Sequence, residues 1–159
     1  MRVSVVRFPG SLDHESARRA AEGAGAQVEY AWHADTRLPD GVDAVVLPGG
    51  FSYGDHLRPG AIASRSPIMS AIRRLADRGG PVLGICNGFQ VLCEAGLLPG
   101  TLRPNAGLSF VCRQLELEIV DPKTPWTAGA DAGTRLSIPI KNHDGAWYGD
   151  PDEGRVVLR

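Results

Sequence analysis

Three cysteines and four histidines are the side chains best suited to covalent chemistry, and one of them stands where the chain would activate it. Cys86 lies in "PVLGICNGFQVLC", between an apolar strand-like run and an amphipathic helical pattern, with Gly84 and Gly88 two residues to either side. This is the spacing of a nucleophile elbow, in which small neighbours allow a tight strand-to-helix turn and close approach of a substrate. The first N–H groups and the partial positive charge of the following helix favour the thiolate, which is the reactive form. Spacing alone leaves a second reading equally open, because free cysteine is among the most buried residue types. Cys93 within the helix and Cys112 after "LSFV" lack such a setting and are expected to pack. An odd cysteine count without C-x-x-C spacing argues against a disulfide framework or a zinc site.

A second segment, "LPGGFSYGDHLRPGA" from Leu47 to Ala61, also follows a strand-like run. Its Gly49-Gly50 pair can turn backbone N–H groups towards a common point, as an oxyanion hole requires. Acyl transfer from an amide to a thiol passes through a tetrahedral intermediate, and two preorganised N–H donors stabilise its oxygen. Gly50 and Asn87 are the residues placed to supply them. Without the elbow, "PGG" would read as an ordinary strand-end turn. The histidines are less informative. His14 opens a helix, His33 follows a strand, His56 sits in the glycine-rich loop and His143 neighbours Asp144, a pair expected to point apart in a solvated loop.

These residues need a frame. "VSVVRF" (3–8), "QVEYAW" (27–32), "DAVVLPGG" (43–50) and "PVLGIC" (81–86) read as strands, rich in β-branched residues and bounded by turn residues. Between them lie two helical patterns. "DHESARRAAEGAG" carries alanines at helical spacing, and "SPIMSAIRRLADRGG" has Ser66 as an N-cap, Pro67 at the first helical position and a double-glycine stop. Such alternation implies right-handed crossovers and an open, mostly parallel α/β sheet with helices on both faces. Ligands then bind beyond the carboxyl ends of the strands, where Cys86 falls. From about Arg113 the pattern changes to "RQLELEIV" and "TRLSIPI", an antiparallel C-terminal strand region joined by a Pro/Gly/Ala-rich loop.

At 159 residues, 43% of them hydrophobic, the chain reads as a single domain over 1–159 with a real core. A net charge of −1 and scattered basic residues argue against a nucleic-acid partner. The absence of a long apolar run or an N-terminal apolar leader argues against a membrane, so a cytoplasmic location is expected.

"LGICNGFQ" resembles the G-x-C-x-G-x-Q nucleophile motif of the class I, or triad, glutamine amidotransferases. "FPGS", "LPGGFSYGDHLRPGA", "GICNGFQVLCEAGLLPG" and "IPI", in that order along most of the chain, are similar to the glutaminase subunits of phosphoribosylformylglycinamidine synthase. The resemblance implies a flavodoxin-like amidotransferase fold and hydrolysis of glutamine through a thioester on Cys86. It implies that Gly49, Gly50 and Phe51 line the oxyanion and substrate pocket beside Asn87, and that Gln90 helps to hold glutamine. The ammonia would pass to a large ATP-dependent synthase subunit that converts formylglycinamide ribonucleotide to formylglycinamidine ribonucleotide in purine (IMP) synthesis, with a small accessory subunit completing the complex. ATP and Mg belong to the synthase, so no cofactor is expected on this chain. The alternatives are a glutaminase subunit serving another synthase, an inactive binding subunit of the same fold, and a hydrolase or chaperone-like member of the wider elbow-cysteine superfamily.

The departures from the family pattern are specific. Leu12, Asp13 and His14 stand where "FPGS" usually continues with Asn-Cys-Asp, and Lys141, Asn142, His143 and Asp144 replace the residues after "IPI" while Gly145 is kept. The family's catalytic histidine and glutamate lie in a His-Pro-Glu motif that does not occur here. The expectation is that the sequence lacks its C-terminal portion and that the chain as written is inactive.

Overall fold

Val3 and Val5 alternate with Val6 and Phe8, and Ala44 and Val46 alternate with Val45 and Leu47; all eight are buried, so both faces of these strands must be covered. The computed structural model describes the backbone of residues 1–159 and every side chain except that at position 151. By its internal contacts the chain divides into two compact units, Met1–Leu98 and Pro99–Arg159.

The first unit is the expected α/β sandwich. Strands β1 (Arg2–Arg7), β2 (Gln27–Trp32), β3 (Ala44–Leu47) and β4 (Val82–Gly84) form one parallel sheet in the order β2-β1-β3-β4. Helices α1 (His14–Gly23), α2 (Ile68–Asp77) and α3 (Asn87–Glu94) cover it. Val3, Val5, Ala44 and Val46 face Ala17 and Ala21 of α1. Val6, Phe8, Val45 and Leu47 face Ile68, Met69, Ile72 and Leu75 of α2 and Val91 and Leu92 of α3. Each such large side chain contributes roughly 1.5–3 kcal/mol on burial, so the α2/α3 face carries most of the apolar stabilisation. On α1, which buries no residue, Arg18 pairs with Glu15 and Glu22 on a solvated face, where ion pairs contribute little.

One cap differs from expectation. Helix α2 begins at Ile68 and has no side-chain cap, because the Ser66 hydroxyl is paired with the Tyr53 hydroxyl at 3.1 Å.

In the second unit, β6 (Val111–Glu118) and β7 (Arg135–Asn142) pair antiparallel from Val111 opposite Asn142 to Glu118 opposite Arg135. Their alternating burial is the pattern read from the sequence. A second pair, β5 (Thr101–Arg103) with β8 (Ala146–Tyr148), was not foreseen, since three residues are too few to show a period. The terminal "RVVLR" runs antiparallel to residues 118–121, with Leu158 bridging Ile119, Glu118 and Arg159 exchanging backbone hydrogen bonds at 2.7 and 2.9 Å, and Val120 N–H donating to the Val157 carbonyl at 3.0 Å. Cys112 is exposed on β6 rather than packed, because it falls on the solvent side of the alternation. Among the described residues, no helix is long and apolar enough to cross a membrane.

Candidate active site

Between the end of β4 at Gly84 and the start of α3 at Asn87, only Ile85 and Cys86 make the turn. Cys86 takes φ +52°, ψ −110°, a conformation that L-residues avoid, that costs about 1–3 kcal/mol and that persists only where the surroundings enforce it. The enforcement is visible. Ile85 N–H donates to the Leu47 carbonyl at 2.9 Å, and the N–H groups of Phe89 and Gln90 donate to the Cys86 carbonyl at 3.0 and 3.2 Å. The flanking glycines are needed for packing. A Cβ on Gly88 would overlap the Leu47 carbonyl, and one on Gly84 would lie 2.8 Å from the Gly88 carbonyl carbon. The elbow therefore presses the first turn of α3 directly onto β3 and β4.

This geometry separates two thiols seven residues apart. Cys86 is exposed at the turn, whereas Cys93 is buried on α3 and burial, with a smaller effect from Glu94, pushes its thiol up to about 11. A thiol held neutral in an apolar setting is inert.

The glycine-rich loop after β3 lies against the 8–13 turn. Phe51 N–H donates to the Gly10 carbonyl at 3.0 Å, Leu12 and Asp13 N–H donate to the Gly49 carbonyl at 3.3 and 3.2 Å, and Tyr53 N–H donates to the Pro9 carbonyl at 2.7 Å. Gly50 sits at φ +142°, and a Cβ there would be 2.6 Å from Leu12 N and 2.7 Å from the Gly10 carbonyl oxygen. Positive φ continues at Tyr53, Gly54, Asp55 and Leu57. The Phe51 N–H is thus committed to Gly10. Those of Gly50 and Asn87 have no acceptor among the described residues, which leaves both available to an oxyanion.

The Asn87 side chain ties α3 to the glycine-rich loop. Its buried carboxamide oxygen accepts from Ser52 N–H at 3.0 Å, and its Nδ2 donates to Asp55 Oδ1 and to Gln90 Oε1, each at 3.0 Å. Gln90 is itself buried, its amide lying against Asn87, while the Phe51 ring is half exposed. Further on, Arg58 makes a bidentate pair with Glu94 at 2.7 Å, and Gly60 lies so close to α3 that a Cβ would be 2.7 Å from Val91 N. Tyr53 OH meets His33 Nδ1 at 2.6 Å as well as Ser66, pinning the loop's other side to the residue after β2 and to the turn before α2.

Asp55, Ser52 and the Asn87 side chain were not foreseen from sequence. The only available signal was the polar "SYGD" inside a glycine-rich loop, which does not say which partner it meets. Asp13, read only as a departure from the family pattern, precedes α1 without capping it. A Cβ on Gly49 would be 2.5 Å from Asp13 Oδ2 and 3.5 Å from Cys86 Cβ, so Asp13 and Cys86 flank that glycine. The histidine rings pair elsewhere: His14 Nδ1 with the Ser11 carbonyl at 3.0 Å, His33 with Tyr53, and His143 Nδ1 with Asp144 Oδ2 at 3.2 Å. The adjacent His143 and Asp144 therefore do meet, contrary to expectation, at an exposed position of the second unit.

Comparison with known proteins gives the family. Residues 1–154 match the model of the CobB/CobQ-like glutamine amidotransferase domain. The chain belongs to that family. Within it, the phosphoribosylformylglycinamidine synthase subunit PurQ of Rubrobacter xylanophilus is 53% identical, over 100% of this chain and 75% of its own length. The PurQ subunit of Mycobacterium tuberculosis is also 53% identical, over 99% of this chain and 73% of its own. The solved structure of PurLQS from Thermotoga maritima superposes with a TM-score of 0.94 at 41% identity, covering 99% of this chain and 73% of that one. A putative GMP synthase subunit from Thermoplasma acidophilum, at 17% identity and a TM-score of 0.69, shares the fold alone. The chain is thus a glutamine amidotransferase, and its Cys86 stands exposed at the turn from β4 into α3.

Proposed function

We propose that this chain is the glutaminase subunit of phosphoribosylformylglycinamidine synthase, acting as a single amidotransferase domain over 1–159 with Cys86 as its nucleophile. One observation carries the reading: the strained, exposed Cys86 stands at the head of α3 while the N–H groups of Gly50 and Asn87 lack acceptors among the described residues.

The Cys86 thiolate attacks the side-chain amide carbon of glutamine, forming a C–S bond and moving an electron pair onto the carbonyl oxygen. Gly50 and Asn87 N–H stabilise that oxygen, which is worth about 10²–10³ in rate per donor. The proton given up by the Cys86 thiol is passed to the nitrogen as the C–N bond breaks, so that ammonia leaves and a thioester remains. Water then cleaves the thioester, releasing glutamate and returning the thiol. The Gln90 amide, buried against the Asn87 side chain, and the half-exposed Phe51 ring next to Gly50 serve as glutamine-holding groups.

The Thermotoga structure is of a complex named PurLQS, and this likeness supports assembly of the present chain with a large synthase subunit and a small accessory subunit. ATP and Mg act at the synthase, and the ammonia made at Cys86 is consumed there. Three cysteines without paired or C-x-x-C spacing fit a reducing, cytoplasmic setting.

The test is alkylation with a chloroketone or diazoketone mimic of glutamine. It should modify Cys86 alone, whereas iodoacetamide should reach both exposed thiols, Cys86 and Cys112, and spare Cys93. Labelling by the mimic that maps to Cys112, or that survives Cys86→Ser, overturns the proposal.

A further inference from the structure

The two oxyanion donors belong to different elements, Gly50 to the loop after β3 and Asn87 to the first turn of α3. Their separation must be held to a few tenths of an ångström for both to reach one oxygen. The loop has little regular structure of its own to hold it, with positive φ at Tyr53, Gly54, Asp55 and Leu57. Asn87 is the residue that spans the gap. Its backbone N–H is one donor, and its side chain grips the segment that follows the other.

Resting on the reading of Cys86 as a glutaminase nucleophile, we infer that the Asn87 side chain is a positioning residue: through Ser52 N–H and Asp55 it sets the distance between the Gly50 and Asn87 N–H groups. Asn87 is 3% exposed, and each contact of its carboxamide is at 3.0 Å. One oxygen accepts and one nitrogen donates twice, so no other side chain of similar size reproduces the set. An aspartate would still accept from Ser52 but would face the Asp55 carboxylate with no proton to share. The Arg58–Glu94 pair and the Gly60 contact hold the loop's exit to α3 independently. Loss of the Asn87 contacts therefore loosens residues 52–55 without detaching the loop, and it acts on turnover more than on folding or on glutamine affinity.

The reciprocal pair of variants tests this in the natural gene product assembled with its synthase subunit. Asn87→Asp should lower kcat for glutamine hydrolysis by about 10²-fold while KM and the rate of Cys86 alkylation by iodoacetamide stay within about threefold. It should also speed hydrogen exchange at Ser52 N–H. In the Asn87→Asp/Asp55→Asn double variant, the carboxamide at position 55 donates to the carboxylate at 87. That reversed contact should recover at least about tenfold of the lost kcat and restore protection at Ser52.

A kcat for Asn87→Asp within about threefold of wild type overturns the inference, as does a double variant that restores Ser52 protection without restoring kcat. Cys86→Ser run alongside separates the two levels of argument. If it leaves turnover intact, the nucleophile reading has failed and this inference fails with it. If it abolishes turnover while Asn87→Asp remains active, only the positioning role is lost.

Discussion

Replacing Gly88 with alanine should lift the start of α3 from β3 and cost both stability and turnover. Helix propensity alone predicts the opposite sign, because alanine in a helix is favoured over glycine by about 0.5–1 kcal/mol. The structure reverses it. A Cβ at position 88 would lie 2.6 Å from the Leu47 carbonyl carbon and 2.8 Å from Leu47 Cβ, and would overlap the Leu47 oxygen. Carbon atoms prefer separations of about 3.5–4.0 Å, so the helix must retreat by about 1 Å. Overpacking of that size costs about 1–3 kcal/mol. The Ile85 N–H bond to Leu47, 2.9 Å long, would loosen as well, for about 1 kcal/mol more. Asn87 N–H moves with the helix, and a misplacement of about 1 Å lowers turnover by about 10²-fold. Denaturant unfolding of the variant gives the first quantity, and glutamine hydrolysis in the synthase complex gives the second. A variant as stable as wild type, or one with unchanged kcat, would refute the reasoning that this glycine is required by contact with β3.

Three further outcomes follow from the same geometry. Gly23→Ala, at the end of α1 with nothing within 4 Å of the added carbon, should raise stability by about 0.5–1 kcal/mol in thermal unfolding and leave hydrolysis unchanged. Tyr53→Phe removes the hydroxyl shared with His33 and the buried Ser66, and should cost about 1–3 kcal/mol in denaturant unfolding. Burial raises the Cys93 thiol from 9.0 to about 11, so the fold keeps a proton that the unfolded chain releases in that window. Stability from this residue is whole below pH 9 and should fall by up to about 1.4 kcal/mol per unit as pH rises towards 11, a slope that Cys93→Ala removes in unfolding measured against pH.

What the sequence determined by itself was whatever depends on local pattern. The β-branched runs that became β1 to β4, the apolar stripe of α2, and the alternation in β6 and β7 each follow from a period of burial that a few neighbouring residues suffice to show. The elbow was legible for the same reason, since Gly84, Cys86 and Gly88 lie within one turn of chain. The features that complete the site join residues far apart in sequence. Asn87 reaches Ser52 and Asp55 across more than thirty residues, Asp13 comes beside Gly49 and Cys86, and the Ser66 hydroxyl leaves its cap for Tyr53. A polar side chain has several possible partners, and its choice is made only when sheet order and helix packing bring one of them to 3 Å. The tertiary structure also decided that Gly50 is required by the backbone of Gly10 to Leu12 as much as by any oxyanion, a close approach between two loops that no pattern within either segment records.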